Sequence, residues 1–116
     1  MGSYKAAWLI PINSKKVLTN NGWIFVSKKH LPPLVVAFII DNLKLSFEET
    51  YLHIVSYSNN KFQAVVIENE KGEIEEVQIK IYGNNLDLFL SEFKKHSISE
   101  MAELFIPSEE DAYKIE

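Results

Sequence analysis

Residues 51–82, YLHIVSYSNNKFQAVVIENEKGEIEEVQIKIY, constrain the fold more than any other stretch of the chain. Apolar side chains recur at every second position, the period of a half-buried strand. Asn59-Asn60 and Lys71-Gly72 interrupt the alternation with residue types that suit hairpin turns. A two-residue turn at Lys71-Gly72 sets Phe62 opposite Ile81, Ala64 opposite Ile79 and Val66 opposite Val77. A two-residue turn at Asn59-Asn60 sets Tyr57 opposite Phe62, Val55 opposite Ala64 and His53 opposite Val66. The two turns, placed independently, bring one apolar set to one face. The expectation is therefore a three-stranded antiparallel meander over 51–82. Its opposite face mixes Gln63, Glu76, Gln78 and Lys80 with a compact patch of Leu52, Ile54, Val65 and Ile67, which needs a cover.

The flanking segments add further elements. YKAAWLIPI alternates, with Tyr4, Ala6, Trp8, Ile10 and Ile12 on one side of a strand, and Pro11 places that end at an edge or bulge. KKVLTNNGWIFVSKK reads as a hairpin turning at Asn20-Asn21-Gly22, and its arm Trp23 to Val26, apolar on both faces, is expected to be central in a sheet. In HLPPLVVAFIIDNLKLS no residue from Leu31 to Ile40 has a polar side chain. The β-branched residues favour a strand, but Pro32-Pro33 and the unbroken length favour one apolar helix at about 32–43. Such a helix has no wet face before Asp41, so it has to be sandwiched, under its own chain or against a second copy. Ser46-x-x-Glu49 suggests a short capped turn before the meander.

Two C-terminal helices are expected. The first covers about 85–95, with Leu86, Phe89, Leu90 and Phe93 as its stripe. The second covers about 98–106, opened by Ser97-x-x-Glu100 and carrying Ile98, Met101, Ala102 and Phe105. Residues 107–116 read as an acidic, mobile tail. Together these give a single α+β domain over 1–116, mainly antiparallel sheet packed with helices. If the first strand merges with the hairpin, the element order resembles that of longin-like and profilin-like domains, which implies a central antiparallel sheet between helices.

Composition then narrows the chemistry. A chain of 116 residues, 47% hydrophobic and 24% charged, can bury one core without disulfides or metals. There is no cysteine, which excludes disulfides, thiol nucleophiles and cysteine-bound zinc and suits a reducing, cytoplasmic setting. No secretory leader is visible in Met1 to Ile12, and the run at 31–40 is about half the ~20 residues of a membrane crossing. All twelve basic residues are lysine, a bias that AT-rich coding explains and that removes the usual bidentate grip on phosphate or guanine. Short, cysteine-free, lysine-rich chains of this kind are common in viruses and mobile elements. Charge is split along the chain: six lysines against Asp41 in residues 1–46, six lysines against fifteen acids in residues 47–116. That division permits self-association or a charged partner.

No catalytic constellation stands out. The three histidines, His30, His53 and His96, share no metal-ligand spacing, and the adjacent pairs Glu48-Glu49 and Glu75-Glu76 point to opposite faces of an extended chain. No glycine-rich phosphate loop or G-x-S-x-G motif is present. The reading is therefore a small non-enzymatic interaction module without cofactor, metal or membrane, acting as a homodimer or as an adaptor or inhibitor of a larger protein. Its expected interface combines Leu34, Val35, Phe38 and Ile39 of the apolar helix with Leu52, Ile54, Val65 and Ile67 of the sheet. The alternative is a nucleic-acid or anion site at Lys15, Lys16, Lys28, Lys29 and His30, aided by Trp23 and Phe25 as stacking rings. A third reading centres a small-ligand or enzyme site on His53.

Overall fold

The computed structural model describes residues 4–94, 101–106 and 111–113. In chain order the elements are Tyr4–Pro11 (β1), Lys15–Thr19 (β2), Gly22–Val26 (β3), Pro33–Leu43 (α1), Ser46–Tyr51 (β4), Ile54–Ser58 (β5), Phe62–Glu68 (β6), Ile74–Tyr82 (β7), Leu86–Lys94 (α2), Ala102–Ile106 (β8) and Asp111–Tyr113 (β9). Seven strands form one antiparallel sheet in the order β4-β5-β6-β7-β1-β8-β9, and β2-β3 forms a separate hairpin. The fold is α+β, mainly antiparallel sheet with two helices.

Both helices lie on one face of the sheet. Val35, Ile39 and Leu43 of α1 and Phe89 and Phe93 of α2 are buried together with Leu9, Phe62, Val66, Ile79 and Leu104 of the strands. Alternation accounts for this: in β6 and β7 every second residue, Phe62, Ala64 and Val66, then Val77, Ile79 and Ile81, is buried. The β6–β7 register is the one the pattern dictates, with Phe62 opposite Ile81 and Val66 opposite Val77. The loop that sets it is longer, however. The Asn69 carboxamide accepts the Lys71 and Glu73 amides at 2.9 and 3.0 Å, and an irregularity follows Ile67.

The β5–β6 pairing departs from expectation by two residues. Tyr57 faces Ala64 and Val55 faces Val66, because the turn is centred on Asn60-Lys61 rather than Asn59-Asn60. A shift of two preserves the face of every side chain, so the apolar set stays together. Asn59 fixes the turn. Its Oδ1 accepts the Lys61 and Phe62 amides at 2.8 and 2.9 Å, and its Nδ2 donates to the Leu43 carbonyl at 2.7 Å, one of the orphan acceptors at the end of α1.

Four expectations are overturned. The meander has four strands: Ser46–Tyr51 is β4, at the sheet edge with all six residues exposed, and burial gave its pattern no signal to detect. His53 consequently leaves the core face and sits exposed in the two-residue β4–β5 turn. The second C-terminal helix is replaced over Ala102–Ile106 by β8, whose five residues are all buried. A strand covered on both faces reads as a continuous apolar run, which periodicity cannot separate from a helix; Ile98 and the capping pair Ser97/Glu100 lie outside the described residues. Finally, the apolar helix forms over Pro33–Leu43 with Pro32 extended before it, but its own chain does not sandwich it: Leu34 is 61% exposed and Ala37 and Asp41 also face outward.

The first strand is central, flanked by β7 and β8, and Pro11 lies where only the β8 side is still paired. Asp111–Tyr113 of the C-terminal segment form β9, and the rest of 107–116 lies outside the described residues. With a strand in the last position and both helices on one face, the arrangement departs from the longin-like and profilin-like order.

Replacing Asn59 tests the joint between α1 and the β5–β6 turn. Asn59→Ala removes these three hydrogen bonds and a longer one, 3.5 Å, to the Lys44 carbonyl, and is expected to destabilise the protein by about 2 kcal/mol in urea unfolding. Asn59→Asp keeps the two acceptor contacts and loses the donor, so its cost is expected to be smaller; equal costs would place the stabilisation in the α1 cap alone.

Candidate functional site

The β2-β3 hairpin folds over the second face of the sheet, above β1 and β8. It pairs Lys15 with Val26, Lys16 with Phe25, Leu18 with Trp23 and Thr19 with Gly22 around the turn at Asn20-Asn21. It is thus a two-stranded sheet of its own, and its second arm is not central: Ile24 and Val26 are 49% and 56% exposed. Its inner face carries the aromatic rings. Phe25 lies 5.9 Å from Trp8 and 5.6 Å from Phe105, and Trp23 meets Phe105 edge-on at 4.7 Å, between ring centroids. Trp23 and Phe25 are therefore packing residues and present no platform for bases.

The same docking disperses the expected basic cluster. Lys16 points inward and pairs at 3.2 Å with Glu103, whose side chain is 2% exposed. His30 pairs through Nδ1 with Glu73 at 3.3 Å, in the acidic β6–β7 connection. Lys15, Lys28 and Lys29 stay exposed and converge on a cavity of about 390 Å³ whose apolar lining is Ile12 and Val26. The sequence could not reveal which lysine would be withdrawn, because that depends on Glu103, 87 residues away.

The other half of the second face has no cover among the described residues. Across β4 to β7 one row runs Tyr51, Ile54, Ile67 and Glu76; the next runs Glu49, Ser56, Val65 and Gln78; the third contains Ser58, Gln63 and Lys80, with the Glu48 carboxylate accepting from Ser58 and Gln63. Ile54 is 38% exposed, Val65 and Ile67 are half-buried, and Leu52 at the tip is 77% exposed. Of the expected interface, Leu52, Ile54, Val65 and Ile67 thus come together. Leu34 and Phe38 are on the opposite side of the sheet with α1, and Val35 and Ile39 are core residues. Sequence reasoning missed Tyr51, 69% exposed at the β4 end of the first row; Phe47, 63% exposed, lies beyond the β4 irregularity on the helix side, against Tyr57.

Leu52 has a second peculiarity: its φ is +54°. A two-residue hairpin turn with a left-handed residue ordinarily takes glycine or asparagine there. A branched side chain in that region costs on the order of 1 kcal/mol.

Further cavities lie at the α1 C-terminus, about 460 Å³ with Asn42, Asn59, Lys61 and Leu88 among its lining, and at the α1 N-terminus, about 350 Å³ beside His30 and Glu73. Among the described residues no group of three acidic or histidine side chains converges as for a metal ion, and no helix is long and apolar enough to cross a membrane. His53 is exposed, with its backbone carbonyl accepting the Glu68 amide at 2.9 Å. Compared with known protein families, curated proteins and solved structures, the chain matches none of them.

Glu76, at the β7 end of the first row, is raised above its ordinary carboxyl range by burial, with the charge of Glu75 adding to the rise against hydrogen bonds from Gln78 and Trp8. The folded protein therefore holds this proton to higher pH than the unfolded chain, and Glu76 lowers stability as pH rises from the unfolded pKa through the folded one. Glu76→Gln is expected to be more stable than the parent at neutral pH, with the advantage shrinking below the ordinary carboxyl range. A pH-independent difference in unfolding free energy would contradict this.

The Lys16–Glu103 pair gives a second test. Lys16→Met leaves the Glu103 carboxylate buried beneath the hairpin and is expected to cost about 3 kcal/mol. Adding Glu103→Leu should restore most of that in urea unfolding; additive losses would show that the two side chains act independently.

Proposed function

We propose that this protein is a small non-enzymatic interaction module that self-associates through the open half of its sheet, with Leu52 as anchor. The observation carrying the reading is Leu52 itself. A large apolar side chain is held in solvent at a backbone position where glycine would be relaxed, and contact with a partner in a complex accounts for both features. Tyr51, Ile54, Ile67 and Val65 extend the apolar surface inward from it, and an apolar centre with a polar rim is the ordinary anatomy of a docking face.

The charges on the face favour a second copy as the partner. A two-fold axis between two such faces, running along the strands, sets β4 of one copy over β7 of the other and β5 over β6. Ile54 then meets the partner's Ile67, and Glu48 meets the partner's Lys80. Aligned packing of two sheets at about 10 Å suits this geometry. Direct pairing of β4 with its own copy is disfavoured, because a two-fold at the middle of Ser46–Tyr51 brings Glu48 and Glu49 against the same residues of the partner.

Leu52→Gly separates anchor from scaffold. The variant is expected to gain about 1 kcal/mol in unfolding free energy, measured at dilution where association does not contribute, and to weaken the dimer about tenfold in sedimentation equilibrium. A parent protein with a monomer mass at micromolar concentration, or a variant that associates as tightly as the parent, would sink the proposal.

A further inference from the structure

We propose a second binding site, independent of the sheet face, that takes a compact anion carrying linked phosphates in the groove at the open end of the β2-β3 hairpin. Lys15 from β2 and Lys28 and Lys29 from the segment leaving β3 converge on this cavity of about 390 Å³, and among the described residues no acidic side chain lines it. A cavity of that size is on the scale of small-ligand sites. In a chain of net charge −4, three ammonium groups around one hollow form a local positive field that no described lining residue neutralises. Lysine holds phosphate as a point charge and needs no planar fork, so the absence of arginine does not weigh against this ligand.

The groove is ordered as well as charged. Ser27 Oγ accepts the Lys29 amide at 3.1 Å, which fixes the turn that presents Lys28 and Lys29. On the other wall Asn13, at φ +65°, turns the chain from β1 into Lys15, with the Ser14 amide donating to the Pro11 carbonyl at 3.2 Å. Ile12 and Val26 offer an apolar surface beside the charges.

The surroundings limit the ligand to a compact one. A small neighbouring cavity shares Ser27 and Lys29 and is lined by His30 and Glu75, and His30 is itself paired with Glu73. A long polyanion leaving the groove past Lys29 runs into those carboxylates. Trp23 and Phe25 are packed against Phe105, so no exposed ring from the hairpin's inner face compensates by stacking on bases. Linked phosphates in one short unit, whether free or at the end of a nucleotide, match three converging charges better than an extended nucleic-acid strand.

The test titrates the whole protein at low salt with inorganic pyrophosphate, with adenosine diphosphate and with a long oligothymidylate, following amide chemical shifts. Saturable pyrophosphate binding with shifts centred on residues 12–15 and 26–29 is expected, weakened about tenfold or more by Lys15→Gln combined with Lys28→Gln. Equal binding of adenosine diphosphate assigns recognition to the phosphates alone, and tighter binding adds the nucleoside to the same site. Absence of saturable pyrophosphate binding, an unchanged affinity in the double variant, or oligothymidylate binding that tightens with length while pyrophosphate fails would each overturn the proposal. Lys15 and Lys28 are exposed, so a matched thermal unfolding curve shows that the variant reports on binding.

Discussion

The architecture depends on the double pairing of β1. The first strand of the chain is hydrogen-bonded to β7 on one side, Tyr4 opposite Tyr82 and Leu9 opposite Val77, and to β8 on the other, Trp8 opposite Phe105 and Pro11 opposite Ala102. Without it the β4–β7 meander and the β8-β9 pair are two separate small sheets. These contacts join residues about seventy to a hundred positions apart, so the sheet closes only when both ends of the chain have come together, the kind of non-local pairing associated with slow folding. Ala7 and Leu9 face the helices while Trp8 and Ile10 face the hairpin side, so this one strand seeds the packing on both sides.

The charge asymmetry of the sequence is partly resolved inside the fold. Lys16 of the basic N-terminal part meets Glu103 of the acidic C-terminal part at 3.2 Å, and His30 meets Glu73 at 3.3 Å. The first contact is the more consequential. It lies under the hairpin where water is scarce, and Lys16 also donates to the Ser14 carbonyl, so the ion pair fixes how the hairpin lies on β8. Folding leaves Lys15, Lys28 and Lys29 outside these pairs and gathers them in one groove.

What could be read from sequence follows from how far each signal reaches. The β6–β7 register was legible from the alternation of Phe62, Ala64 and Val66 against Val77, Ile79 and Ile81, although the turn producing it was not Lys71-Gly72 alone. The β5–β6 faces were legible and their register was not, because the choice between two adjacent turns was made by Asn59 bonding to Leu43, a tertiary contact. The stretch MAELFI carries apolar residues on both parities, and only the presence of β1, β9 and the hairpin around it makes it a strand. At the site, the sheet patch was readable because Leu52, Ile54, Val65 and Ile67 depend on local hairpins. The helix residues do not join that patch, because α1 packs on the other side of the sheet and the core claims Val35 and Ile39.

The exposed end of the sheet combines two opposed features. Among the described residues β4 is an edge strand with an unpaired row of backbone groups, the geometry that ordinarily invites uncontrolled strand addition. It carries Glu48 and Glu49 at its centre and a register irregularity between Phe47 and Glu49, both of which discourage a neighbouring strand. The face beside it carries the reverse chemistry, with Ile54, Ile67 and Val65 accessible and Leu52 projecting at the turn. A chain that merely left its edge unfinished would not guard that edge with charge while keeping a strained leucine at its corner. The edge is guarded and the face is open, a contrast that favours face-to-face docking over extension of the sheet in the proposed association.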